Sequence, residues 1–279
     1  MGWRRPLPRR SLATRITLIM RITEQQRASR HPLPVRLAHW INVVALTALL
    51  SSGLGIFNAH PALYWGDSSY GTNPAWLEIS ARQGSDGAWA GITRIYNLEL
   101  RTTGVLGLSD DVRGMPEARG FPWWVTTPNG LWLAMSRSWH FFFAWILVLN
   151  GVFFVGYSVA SGHLRQDLFR WPPIVTNERA GVRYTLPQRM AYLSVIFIVV
   201  PGCIATGLAM SPWLDAVIPG FVGVLGGHQS ARSLHFIGAF VVVAFVGIHL
   251  AALVLDQPWN RLRSMITGRF DVGQRRNDG

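Results

Sequence analysis

The sequence contains no lysine, a single cysteine and few charged residues of any kind. The one cysteine, Cys203, excludes an intrachain disulfide, a thiolate-held iron–sulfur cluster and a CxxCH attachment motif, so any redox metal would have to be held by histidine. Charged residues make up 14% of the chain and hydrophobic residues 49%, whereas a soluble domain has about 25% charged residues. These proportions favour an integral membrane protein over a soluble enzyme.

All 26 basic residues are arginines, and the formal net charge is +12. The arginines cluster in segments that flank apolar runs, where they indicate topology and contact with anionic lipid. We therefore expect membrane lipid as a partner and no nucleic acid.

Four segments contain the roughly 20 mainly apolar residues that a membrane-spanning helix needs. They are residues 35–57, 139–160, 190–210 and 234–255. The third contains Pro201 and Gly202, which predict a kink. The predicted fold is an all-α integral membrane protein, a four-helix transmembrane bundle with a long outer loop between the first and second helices.

The flanking charges orient these helices. Arginines outnumber acids nine to one before residue 37, five to two in residues 161–189 and five to three from residue 256, whereas the first and third loops are nearly balanced. The positive-inside rule then predicts a multi-pass protein with both termini in the cytoplasm. The predicted organisation is a cytoplasmic extension (1–34), a membrane domain (35–256) with its outer loop (58–137), and a cytoplasmic tail (257–279). The extension has no continuous apolar core, so we expect no cleaved secretory signal.

The outer loop is too rich in glycine, proline and charge to span the membrane again. Residues 92–108 alternate enough to predict a hairpin. The loop is either a solvated connection or a docking surface for an outer partner, and the second is favoured because a long loop usually has a function. Its tryptophans, expected to be exposed, serve that surface or rest at the headgroup level: Trp76, Trp89, Trp123 and Trp124.

The fourth predicted helix contains two histidines, His235 and His249, fourteen residues apart. At this spacing they project from nearly one face of a helix and are separated by about 21 Å along its axis. Ionisable side chains in membrane spans are rare and usually functional. A single histidine can be a packing residue of a bundle, but two on one face are harder to explain in that way.

The predicted topology supplies each of these histidines with a partner. His39 lies in the first turns of the first helix, at the level of His249, and His140 opens the second helix at the level of His235. The pairs His39 with His249 and His140 with His235 suit bis-imidazole coordination of two haems.

Small and basic residues surround the predicted haem levels. Gly238 and Gly247 either leave room for the macrocycle or permit close helix packing. Arg36, Arg137 and Arg232 are candidates for pairing with haem propionates, and they are also ordinary helix-end anchors. The remaining histidines lie outside the predicted helices, where solvated loop positions are the default: His31, His60, His163 and His228.

With these features the sequence resembles the bacterial cytochrome b561 and nickel–iron hydrogenase b-type cytochrome family. The resemblance rests on RLAHW in the first helix, His140, a histidine-free third helix and the fourteen-residue spacing. It implies two b-type haems held by the four histidines, and electron exchange with the quinone pool of a bacterial inner membrane.

Further segments resemble the branch of thiosulfate reductase cytochrome b subunits: NAHPALYWG, WHFFFAWILVLNG, QSARSLHFIGA and PWNRLRSMITG. That branch implies a periplasmic redox partner, with a molybdopterin oxidoreductase as the candidate. The long first loop departs from the compact members of the family.

The sequence therefore predicts an electron-transfer subunit that connects quinone with an outer redox protein and is not a stand-alone catalyst. His163 and Arg165 are candidates for a quinone or proton site on the cytoplasmic side. One alternative is a self-contained quinol oxidoreductase that reduces a small acceptor. Another is a histidine-lined metal or proton transporter, although the predicted helices contain no acidic residue.

Overall fold

A computed structural model describes residues 27–29, 32–71, 73–162, 186–255 and 258–271 of the chain. Four helices in it are long and apolar enough to cross a membrane, and they are called the first to fourth spans: Leu33–Phe57, Leu133–Ala160, Met190–Ala209 and His228–Leu255. They confirm the four predicted helices. The second and fourth spans begin earlier than their apolar runs because the preceding polar turn is helical as well.

The third span is irregular at the predicted place. The α-helix Leu186–Ser194 passes into a π-helical turn, Val195–Val199, and then into the α-helix Val200–Ala209. Pro201 has no N–H to donate to the preceding turn, and such positions are typical of local helix irregularity. Two short helices follow before the fourth span, Pro212–Val217 and Phe221–Val224.

The described strands all lie outside the spans. They are β1 (Arg27–Ser29), β2 (Ala62–Leu63), β3 (Leu77–Gln83), β4 (Trp89–Ile95), β5 (Leu98–Arg101), β6 (Gly107–Asp110), β7 (Pro116–Arg119) and β8 (Arg269–Asp271). The chain divides into two compact units, Trp40–Ile248 on the one hand, and Met1–His39 with His249–Gly279 on the other.

Residues 58–132, between the first and second spans, form a small β domain that we call the loop domain. Its main sheet is antiparallel in the order β2-β3-β4-β5, and β6 and β7 form a second two-stranded sheet. The β4–β5 pair, closed by a turn at residues 96–97, confirms a hairpin within residues 92–108. The other strands of the loop were not predicted. β2, β6 and β7 have only two to four residues, and β3 alternates only over its first half.

The core of the loop domain is continuous with the end of the first span. Phe57 packs with Leu63, Leu77 and Ile79, and Phe236 of the fourth span packs against the same cluster. The alternation of buried and partly exposed residues along β3 turns its apolar side chains towards this core. Burial on one face therefore attaches the sheet to the ends of two spans.

The opposite face of the sheet is charged. Arg94 on β4 bonds to Glu78, the residue opposite it on β3. The hydrogen bond to Glu78 is the main cause that raises the pKa of Arg94. Arg82 makes two hydrogen bonds of 3.2 Å to the carboxylate of Glu99 on β5. These cross-strand pairs stabilise the register on the solvated face.

Hydrogen bonds tie the loop domain to the beginning of the fourth span. The Ser233 hydroxyl donates to the carbonyl of Tyr64 at 2.7 Å and accepts from the indole N–H of Trp76 at 2.9 Å. The hydroxyl of Ser230 accepts from the N–H of Gly66 at 2.8 Å. The two serines of QSARSLH thus fix the loop domain to the fourth span five and two residues before His235.

The unit formed by the chain ends contains the first turns of the first span, the last turns of the fourth and a C-terminal helix, Pro258–Thr267. Strands β1 and β8 pair antiparallel in it. Arg36 donates through its guanidinium to the carbonyl of Ile266, near the end of the C-terminal helix. This interaction satisfies one of the carbonyls that a helix end leaves open.

Candidate functional site

The structure brings together His140 of the second span and His235 of the fourth. Their ring centroids are 6.1 Å apart and the ring planes are inclined by 67°. Because both residues lie beside the loop domain, we call them the loop-side pair. The pairing agrees with the partner assignment from sequence.

A turn of the first span holds the ring of His140. Its Nδ1 lies 3.1 Å from the carbonyl oxygen of Leu49 and 3.2 Å from the hydroxyl of Ser52. A Cβ atom at Gly53 would stand 3.3 Å from the Cε1 of His140. Glycine at this position therefore lets the imidazole lie directly against the helix backbone.

A turn of the third span holds the ring of His235 in the same way. Its Nδ1 lies 2.9 Å from the carbonyl oxygen of Cys203 and 3.3 Å from the hydroxyl of Thr206. A Cβ atom at Gly207 would stand 3.2 Å from the Cε1 of His235 and 3.4 Å from its Nδ1. The two imidazoles of the loop-side pair thus have equivalent supports on two different spans.

Each support consists of a carbonyl at position i, a hydroxyl at i+3 and a glycine at i+4. We call it the imidazole cradle, with Leu49, Ser52 and Gly53 in one copy and Cys203, Thr206 and Gly207 in the other. Neither copy was predicted from the sequence. The available signal was a Ser/Thr-Gly dipeptide in each span without a loop-side histidine, in LLSSG and CIATG.

His39 of the first span and His249 of the fourth form the second pair, which we call the terminal pair. Their ring centroids are 6.4 Å apart, and the planes are inclined by 53°. Arg261 of the C-terminal helix lies within electrostatic range of His249. This arginine was not singled out from sequence, because the helix that positions it follows the last span.

Both pairs have the separation that a shared iron requires. A metal–imidazole bond is about 2 Å long and the ring centre lies about 1 Å beyond the bonded nitrogen, so rings on opposite sides of one iron are centred about 6 Å apart. In the loop-side pair, moreover, Nδ1 faces a backbone carbonyl and is therefore the protonated nitrogen. The lone pair then resides on Nε2, the nitrogen that can bind a metal.

The arginines proposed as propionate partners lie near the pairs, and each has a protein contact. Arg36 donates to Ile266, as described above, and Arg232 donates to the carbonyl of His60. The guanidinium carbon of Arg137 lies 5.7 Å from the ring centre of Phe141, within the range of a cation–π interaction.

The two glycines of the fourth span differ in their surroundings. A Cβ atom at Gly238 would stand 2.6 Å from the Sγ of Cys203, so this glycine permits close packing of the third and fourth spans. A Cβ atom at Gly247 would meet no described atom within 4 Å. The described protein atoms therefore leave open space beside Gly247.

Other predicted positions are distributed as follows. His60 and His228 are exposed, and the pKa of His60 is lowered by partial desolvation and then by the charge of Arg232. His31, His163 and Arg165 lie outside the described residues. Within the described ranges, no three His, Cys, Asp or Glu side chains come close enough to hold a metal ion together.

The expectation of four exposed tryptophans in the loop was wrong for Trp76 and Trp123. Trp89 and Trp124 are exposed, whereas Trp123 is half-buried. Trp76 is also half-buried, because it stacks on Trp65 at 5.8 Å and donates to Ser233. The burial of an indole in the core outweighs its preference for the headgroup region.

A polar contact inside the membrane region was also missed. The side-chain amide of Asn150, in the second span, donates to the Oδ1 of Asn42, in the first span, at 2.7 Å. Hydrogen bonds between spans stabilise helix association in lipid. Two asparagines within otherwise apolar runs were the available signal.

Comparison with known proteins places the chain in a family. The family model described as prokaryotic cytochrome b561 matches residues 30–268, which include all four spans. A relative from Azospira oryzae, described as a putative protein-methionine-sulfoxide reductase subunit YedZ1, is 25% identical over 239 residues, which cover 81% of this chain and 90% of the relative. No solved structure matches the chain. The chain therefore belongs to the prokaryotic cytochrome b561 family and is a multi-pass bacterial membrane protein that binds b-type haem and takes part in electron transfer.

Proposed function

We propose that the protein is a di-haem membrane subunit that passes electrons between the quinone pool and a redox protein outside the inner membrane. The terminal pair would hold one haem and the loop-side pair the other. The observation that carries this proposal is the separation of the rings, 6.4 Å and 6.1 Å, in two histidine pairs on apolar helices. A haem bound between such rings supplies one-electron chemistry.

The histidines determine what the sites can do. If both imidazoles of a pair held one haem iron, they would leave no coordination position for a substrate, and the group would supply electron transfer. The protein side chains orient the haems and set their potentials. Arg36, Arg137, Arg232 and Arg261 are candidate partners of the propionates.

The loop domain is proposed to dock the redox partner, on the outer side that the arginine distribution predicts for it. All four residues of β5 are exposed, and Leu98 and Leu100 present apolar surface there. Among the described strands β5 pairs with β4 alone, so its free edge offers backbone groups to a partner. A protein bound there would lie on the domain that is fixed to the fourth span beside His235.

The Azospira relative supports a class of partner. The name of the Azospira relative describes a subunit of a methionine sulfoxide reductase. We propose that this chain likewise serves a separate oxidoreductase, for which a periplasmic molybdopterin enzyme is the candidate. The quinone site is proposed on the cytoplasmic side, with His163 and Arg165 as candidate residues.

The first test is the haem content of the purified protein in detergent. Pyridine haemochrome counting and reduced-minus-oxidised spectra are expected to give two b haems per chain. His249→Ala and His140→Ala are each expected to lose one of the two haems and to retain the spectrum of the other. His228→Ala, which changes an exposed histidine at the start of the fourth span, is the control and should keep both.

Either of two results would contradict the proposal. One is a wild-type protein without haem when it is produced in a host that makes haem. The other is a loss of the same haem in both variants, because the two pairs would then not be separate sites.

For the partner, Leu98→Glu with Leu100→Glu should abolish electron transfer to the cognate oxidoreductase while both haems remain reducible by quinol.

A further inference from the structure

We propose that Ser52 and Thr206 are positioning residues that set the potential of the loop-side haem by accepting a hydrogen bond from its two axial imidazoles. This inference rests on the proposed function, because it assigns His140 and His235 to the same iron. It concerns the two imidazole cradles, which support the rings from the first and third spans.

The direction of each hydrogen bond follows from the one proton that a hydroxyl possesses. The hydroxyl of Ser52 lies 2.5 Å from the carbonyl oxygen of Ala48 and donates its proton there. The hydroxyl of Thr206 likewise lies 2.8 Å from the carbonyl oxygen of Gly202. Such bonds to the carbonyl four residues earlier are common for hydroxyls within helices. Each hydroxyl therefore has only lone pairs left to offer to the imidazole.

The imidazole N–H consequently has two acceptors in each cradle. The Nδ1 proton of His140 is shared between the Leu49 carbonyl and Ser52, and that of His235 between the Cys203 carbonyl and Thr206. The arrangement determines the tautomer and limits rotation of the ring. Because the glycines of the cradles have no side chain, each imidazole ring also contacts the helix backbone directly.

Acceptors at Nδ1 make the other ring nitrogen a stronger donor to a metal. A stronger donor stabilises the oxidised, more positive iron and lowers the reduction potential. Ser52 is fully buried and Thr206 is buried, so water cannot easily replace a lost hydroxyl. The backbone carbonyl remains in either variant, which preserves the tautomer and limits the change to the strength of donation.

The variants are Ser52→Ala and Thr206→Val, measured as the full-length protein in detergent with haem bound. Each should raise the potential of one haem, so that the ratio of reduced to oxidised haem at a fixed potential increases two- to tenfold. That change corresponds to about 20 to 60 mV for a one-electron couple. The low-spin ferric EPR signal of the same haem should shift, because it responds to the angle between the imidazole planes, which is 67° here.

Two matched controls separate this role from general packing. Ser51→Ala removes the neighbouring hydroxyl, which lies 3.2 Å from the Ala48 carbonyl and is not among the groups that bond to His140. It should leave both potentials unchanged. Thr206→Ser retains the hydroxyl and loses a methyl group, and it should restore the wild-type potential and EPR signal.

The results distinguish this inference from the function on which it rests. A wild-type protein without two haems overturns both. A wild-type protein with two haems whose potentials and EPR signals are the same in Ser52→Ala, Thr206→Val and Ser51→Ala overturns only the role of the hydroxyls. A shift in Thr206→Val that persists in Thr206→Ser shows a packing effect and also overturns that role.

Discussion

The loop domain should depend on one buried arginine, Arg119 on β7. Its side chain is 1% exposed. Its guanidinium donates to the carbonyl of Phe121 at 2.8 Å, the carboxylate of Glu117 at 2.7 Å, the hydroxyl of Thr126 at 3.1 Å and the carbonyl of Asn129 at 3.2 Å. Glu117 lies on β7 itself, and the other three acceptors belong to the segment that leads into the second span. We expect Arg119→Ala to destabilise that segment and the β6–β7 sheet.

The size of the effect follows from what the substitution leaves behind. Removing one partner of a buried charged network costs about 3 to 5 kcal/mol, because the remaining groups stay desolvated and unpaired. Glu117 is 35% exposed and can be solvated again, which reduces its share. We therefore expect a loss of about 3 kcal/mol in the free energy of unfolding of the loop domain.

Arg82 provides the comparison within the same domain. It makes two hydrogen bonds of 3.2 Å to Glu99, but the two side chains are 56% and 46% exposed. An exposed pair of this kind contributes less than about 1 kcal/mol. The stability of both alanine variants can be measured by pulse proteolysis in urea that detects cleavage within the loop domain, with the haem spectrum as a separate readout of the spans. Equal small losses for Arg119→Ala and Arg82→Ala would show that the buried contacts of Arg119 do not stabilise the loop domain.

Three further predictions concern the spans and the loop. Gly238→Val should loosen the third and fourth spans and lower the thermal midpoint of haem loss. Gly151→Ala in the second span, where an added Cβ would meet nothing within 4 Å, should leave that midpoint unchanged, and equal effects would contradict the packing assignment. Asn42→Leu removes the hydrogen bond from Asn150 and should reduce the stability of the helix bundle by roughly 1 kcal/mol, seen as a lower thermal midpoint of haem loss. Because the pKa of His60 is lowered in the folded protein, the unfolded chain binds its proton at a higher pH than the folded one. Acidification below about pH 6.5 should therefore destabilise the loop domain of the wild type slightly more than that of His60→Asn, as measured by pulse proteolysis.

The spans could be predicted from sequence because the requirement is one of composition and length. About 20 apolar residues satisfy it whatever their order. The first residues of the second and fourth spans could not be predicted, since these helices already begin at Leu133 and His228, before their apolar runs. The loop domain was predicted only as a hairpin, because most of its strands have two to four residues, too few to show a period.

The histidine pairs could also be predicted, because helix geometry and topology alone set the depth of a residue in the membrane. The groups that surround the imidazole rings could not be predicted from the sequence. Ser52, Thr206 and the glycines that follow them are common residues in spans, and their meaning depends on the rotation of each helix about its axis. Arg261 was missed because the helix that positions it follows the last span, and the contact of Asn150 was missed because its partner Asn42 lies on another span.

Residue types and their spacing suffice to predict the class of protein, the number of spans, the orientation and the four histidines on which the proposed function rests. Each follows from the cost of placing polar groups in lipid, which depends on residue type and spacing. The folded chain was needed to show that the long loop is a β domain fixed to the fourth span through Ser230 and Ser233, and that two cradles hold His140 and His235. Those features depend on directional hydrogen bonds between segments far apart in the chain, and no local pattern encodes their geometry.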